Sequence, residues 1–142
     1  MKYILLILAL VCSVTASNAT TPIAKDLEGI WETDGSEFRG EALIKGKAIY
    51  LDRDGVGAAV GAPDYSTCIG IQIVVTSWNG KVLKIDLIDN GKVVGSESLK
   101  YNSHKKVFIS STDSKESYHR RSTTMSAAIK GSLGLEPKAK QN

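Results

Sequence analysis

From residue 69 to residue 101 the chain alternates apolar and polar positions with a period of two. Ile69, Ile71, Ile73 and Val75 fall on one side and Gln72 and Thr76 on the other; Leu83, Ile85 and Leu87 then alternate with Lys84 and Asp86. Successive strand side chains point to opposite faces, so the pattern predicts antiparallel strands with one buried and one wet face. Asn79-Gly80 and Asn90-Gly91 separate the runs. Asn and Gly tolerate positive φ best, and both dipeptides predict type I′ hairpin turns. The third run, 92–101, is more polar, with Val93, Val94, Leu99 and Tyr101 as its apolar content. The three runs make a meander.

The flanking sequence predicts more of the same sheet. Gly29-Ile30-Trp31 enters a first strand, 34–40 is turn-rich, and 41–51 predicts a hairpin pivoting near Gly46. Residues 52–67 (DRDGVGAAVGAPDYST) carry glycines, Pro63 and small side chains, and predict no sustained strand or helix. An irregular stretch of that length in a compact domain is often functional. Runs at 106–111 and 116–123 bring the total to about eight strands. Ser122 or Thr123 is placed to cap a short helix with Met125, Ala128 and Ile129 on one face and Gly131 as its stop. Strands in sequential hairpins leave two exposed edges unless the sheet closes. The expected fold is therefore all-β: an eight-stranded antiparallel up-and-down barrel with a short C-terminal helix, an open β-sandwich being the alternative.

The beginning of the chain reads differently. Lys2, an unbroken apolar run over 3–11 and small residues up to Ala19 predict a cleaved signal peptide over 1–19; the run is too short to span a bilayer. A leader (20–25), a single domain (26–131) and a disordered polar tail (132–142) complete the expected layout. Without Lys2 the chain carries 17 Lys+Arg against 15 Asp+Glu, interspersed, which gives no nucleic-acid footprint. Only Cys68 remains after cleavage, so no internal disulfide forms; an exported domain of this kind points to a bacterial periplasm.

Gly29-Ile30-Trp31 in the first strand and Tyr118-His119-Arg120-Arg121 in the last resemble the lipocalin and lipocalin-like (calycin) arrangement. The resemblance implies that Gly29 and Trp31 open the barrel and that Arg120 or Arg121, beside Tyr118, packs over the tryptophan to close its base. Guanidinium–indole stacking makes this physically sensible.

Candidate chemistry narrows the function. Cys68, His104 and His119 are too scattered for a zinc site, and Cys68, at the entrance of an apolar strand, suits a small buried hydrophobe better than a nucleophile. Asp52-Arg53-Asp54-Gly55 lacks the later ligands of a calcium loop, and the glycines at 55, 57 and 61 lack the Lys-Ser/Thr of a phosphate loop. No catalytic residues, metal or cofactor are expected. The reading is a non-enzymatic exported barrel binding a small apolar ligand through Tyr65, Trp78, Val56, Val60, Ile71 and Ile73. The alternative is a protein-binding inhibitor, immunity or envelope assembly factor that acts through a Gly55–Ser66 loop.

Overall fold

The computed structural model describes residues 27–63, 65 and 67–135. The expected signal peptide and leader, and residues 136–142 of the expected tail, lie outside them. Strands β1 (Gly29–Thr33), β2 (Glu37–Arg39), β3 (Ala42–Leu51), β4 (Val56–Ala62), β5 (Ile69–Trp78), β6 (Val82–Asp89), β7 (Lys92–Asn102), β8 (Val107–Ser110) and β9 (Ser117–Ser122) precede one short helix, α1 (Ala127–Ser132). They pair in the order β1-β9-β8-β7-β6-β5-β4-β3-β2, and β1 pairs again with β3. That second pairing, from Gly29↔Leu51 to Glu32↔Ala48, closes the sheet into an eight-stranded antiparallel up-and-down barrel and excludes the open sandwich. The short β2 lies outside the ring, on the first half of β3.

Three sequence expectations are corrected. Residues 41–51 do not form a hairpin: β3 is one strand that passes from β2 to β1 at Gly46, whose φ of 101° bends the chain without reversing it. Most of the expected Gly55–Ser66 loop is β4, a regular strand paired on both sides with β3 and β5. Its Gly/Ala run hid the periodicity yet suits the packing, since a Cβ on Gly57 would lie 2.1 Å from the Tyr50 carbonyl oxygen. Small side chains here admit a close neighbour instead of breaking the strand. The two Asn-Gly turns also differ. Asn90 (φ 52°) and Gly91 (φ 75°) are both left-handed, as type I′ requires, whereas at the other turn only Gly80 is. There Asn79 Oδ1 accepts from the amides of Lys81 and Val82 at 2.9 and 2.7 Å, building the turn from its side chain.

The apolar content divides into two layers, one on each face of the sheet. Inside the barrel, Leu27, Trp31, Ile49, Leu51, Ile73, Val75, Leu83, Ile85, Leu99, Phe108 and Tyr118 form the main core. On the outside of β1, β3 and β4 a second layer holds Ile30, Leu43, Ala48, Tyr50, Ala58, Val60 and Ala62, covered by Phe38 of β2 and by Met125, Ile129, Leu133 and Leu135 around α1. The Tyr50 hydroxyl donates to the Glu41 carbonyl at 2.6 Å, and burial pushes its pKa up to about 12.

The helix starts later than expected because Ser122 spends its hydroxyl on a turn with Thr124, and Ser126 becomes the N-cap, accepting from the Ile129 amide. Gly131 lies inside the helix. The left-handed stop is Gly134 (φ 72°), with Leu135 N–H donating to the Lys130 carbonyl and Gly134 N–H to Gly131. The chain expected to be tail from 132 onward thus continues to a buried Leu135.

Candidate functional site

The topology gives the barrel two unlike ends. One carries the β3–β4, β5–β6 and β7–β8 turns, the start of β1 and the end of β9; the other carries the β4–β5, β6–β7 and β8–β9 connections.

The first end is filled. Trp31, buried, donates from Nε1 to the Leu27 carbonyl at 3.0 Å, so the turn before β1 caps the ring from below. Phe108 packs edge-on to Trp31 at 4.7 Å and Tyr101 lies 5.0 Å from Phe108. Trp78 completes this plug, 6.0 Å from Tyr101 and 6.4 Å from Phe108. Such offset aromatic geometry is favourable beyond area burial. The Arg120 guanidinium lies 4.6 Å from the Trp31 ring centroid. Its neighbour Arg121 points to the other face, 4.2 Å from the Phe38 ring and 3.6 Å from Glu32. Gly29 enters β1 at φ 133°, where a Cβ would meet the Ser122 carbonyl oxygen at 2.0 Å; only glycine lets the first and last strands approach so closely.

The second end opens into a cup of about 360 Å³. One wall is aliphatic, from Ala59, Ile69, Ile71 and Leu87; the other is polar, from Glu97, Glu116, Tyr118 and Lys47. Register explains the polar wall: Glu97 stands opposite Ile85 and Tyr118 opposite Phe108, both core positions, so these side chains occupy the inward face of the ring. The Tyr118 hydroxyl donates to Glu116 Oε1, and the Lys47 ammonium reaches Glu116 Oε2 at 3.1 Å. Burial, the hydrogen bond to Glu116 and the nearby charges of Glu116 and Glu97 hold the Tyr118 proton well above the usual tyrosine range. Tyr118 is therefore a neutral donor at any physiological pH.

The six expected ligand contacts do not converge. Ile71 lines the cup. Val60 borders it but packs in the outer layer, as does Val56, because β4 turns its even-numbered residues outward. Ile73 lies deeper, fully buried in the main core, and Trp78 belongs to the plug at the far end. Tyr65 sits against β2 and β3 instead, its hydroxyl on Glu37 and its ring 5.5 Å from the Lys45 ammonium. Conversely, Glu97, Glu116, Tyr118 and Lys47 were not expected to form a ligand wall. A signal existed: Glu97 lies two positions before Leu99 and Lys47 two before Ile49, which period two places on the inner face.

Cys68, expected as a buried hydrophobe, is exposed beside the cup end, whereas His104 lies in a turn at the plugged end. Among the described residues, no group of three or more His, Cys, Asp or Glu is placed to hold a metal ion, and no helix is long and apolar enough to cross a membrane. Comparison with protein-family models, curated proteins and solved structures finds no match to this chain.

Proposed function

We propose that this protein is an exported, non-enzymatic β-barrel that binds a small, largely apolar molecule in the cup at the open end of the ring. The observation that carries this reading is the asymmetry of the interior: an aromatic plug at one end and, at the other, a cup of about 360 Å³ with an aliphatic wall from Ile69, Ile71 and Leu87. Pockets that hold small ligands combine an apolar lining with a few placed polar groups, and this cup has both. Export is supported by Lys2, the apolar run that follows and the small residues up to Ala19, with a bacterial periplasm as the destination. Lipocalin-like kinship is supported by Gly29, Trp31 and Arg120 meeting where β1 and β9 join.

A fluorescent apolar probe, N-phenylnaphthylamine, tests the reading directly. It should brighten on the native protein and fail to do so on Gly61→Leu, which puts a side chain where a Cβ on Gly61 meets nothing within 4 Å at the cup wall. A folded Gly61→Leu protein that loads the probe as well as the native one, or a native protein that never loads it, would overturn the proposal.

A protein partner is the second reading. Four large apolar side chains are exposed, Tyr65, Ile69, Val93 and Val94, and all four lie at or beside the cup end. A partner capping the mouth should release a preloaded probe, and capture from periplasmic extract that survives Ile69→Ser with Val94→Ser would sink this alternative.

A further inference from the structure

We infer that the cup selects ligands carrying a positively charged amine on an apolar body, the ammonium seated between Glu97 and Glu116. This inference deepens the proposed binding function and rests on it. The argument is a balance of donors and acceptors on the polar wall. Lys47 is the only cation lining the cup among the described residues, and Glu116 already engages it at 3.1 Å. The Tyr118 proton is likewise committed to Glu116, which leaves the tyrosine oxygen as an acceptor. Glu97 points inward from β7, and among the described residues no cation pairs with it and no donor bonds to it. The wall therefore offers spare acceptors and negative charge: two carboxylates against one ammonium.

An ammonium head has three donors and no acceptor, which matches this inventory; a carboxylate head is acceptor-only, would meet repulsion from Glu97, and would have to draw the Lys47 ammonium away from Glu116 to be received. A neutral hydroxyl head lies between the two. Partial desolvation beside the aliphatic wall strengthens the charge preference over what open water would allow. Ile69, Ile71 and Leu87 on the opposite wall then take the apolar body.

The test holds the apolar body fixed and changes only the head. n-Octylamine, n-octanol and octanoate are titrated at neutral pH by calorimetry into the native protein and into Glu97→Gln, which keeps the side-chain volume and removes the charge. The expected order is amine, then alcohol, then carboxylate, with the amine about tenfold tighter than octanoate, and that preference should shrink about fivefold or more in Glu97→Gln. Equal binding of all three, tighter binding of octanoate, or an amine preference untouched by Glu97→Gln overturns the inference while leaving the apolar-ligand reading standing. Binding of none of the three, in a protein that also fails to load N-phenylnaphthylamine, overturns both.

Discussion

Arg120 covers the indole of Trp31 at 4.6 Å, and the two residues face each other across the β1–β9 pairing in direct register. A β-bulge between Ile30 and Trp31 shifts that register by one step at the start of β1. Arg121, one residue on, is carried to the outer face, where it meets Phe38, Glu32 and the Gly40 carbonyl. The two arginines thus serve different layers. Arg120→Ala should destabilise the barrel by about 1 kcal/mol, with Arg120→Lys recovering only part of it. Arg121→Ala should instead loosen β2 and the outer layer. Denaturant midpoints followed by tryptophan fluorescence for the first, and amide exchange across 37–45 for the second, separate the effects.

Trp78 packs in the plug and not in the cup. Trp78→Ala should therefore cost about 3 kcal/mol of stability while leaving probe affinity at the open end within about twofold of native. Urea denaturation and probe titration on one preparation check both halves.

The two glycines of β4, Gly57 and Gly61, differ in consequence. A Cβ on Gly57 would sit 2.1 Å from the Tyr50 oxygen, so Gly57→Ala has to push β3 and β4 apart and should destabilise by about 2 kcal/mol or more. Gly61→Ala meets nothing within 4 Å and should lie within about 0.5 kcal/mol of native. Thermal melts of the pair decide it.

Glu41 holds the start of α1. One carboxylate oxygen accepts from the Ser126 amide at 2.8 Å and the other from the Ser126 hydroxyl, and these bonds, the hydroxyl's first, keep its pKa below the ordinary value of 4.5. A carboxyl whose folded pKa is depressed stabilises fully above its unfolded value and progressively less as pH falls through the folded one. Amide exchange at Ser126 and Ile129 should consequently accelerate below about pH 4.5 relative to the barrel strands. Glu41→Gln should show faster exchange already at neutral pH, with that acid dependence removed.

Much of the ring could be read from residues alone because period two survives in 69–89 and because Asn90-Gly91 names its own turn. β4 could not, since Gly57, Ala58, Ala59 and Gly61 carry almost no side chain with which to write a pattern; its strand character comes from β3 and β5 on either side. The base of the barrel was legible as Trp31 with a basic residue from the last strand, while the choice of Arg120 over Arg121 depends on a register that sequence does not fix. The cup was the least legible part. Glu97 and Lys47 look like ordinary wet-face charges until the pairing places them inward, and Val56, Val60 and Trp78 look like lining until it turns them away.

The seam between β1 and β9 has a kinetic consequence. Residues 30–33 pair with 118–122, so the ring is completed by contacts between almost the first and almost the last of the described chain. A nascent chain that stops short of β9 has nothing to close against and presents two raw strand edges, which favour association with other chains over productive folding. Closing so long a loop is also slow compared with forming local hairpins. The central meander can zip early, but a finished ring has to wait for β9. Under the export proposed above, that delay would be an advantage: nothing barrel-shaped would exist to block the passage until β9 had arrived on the far side.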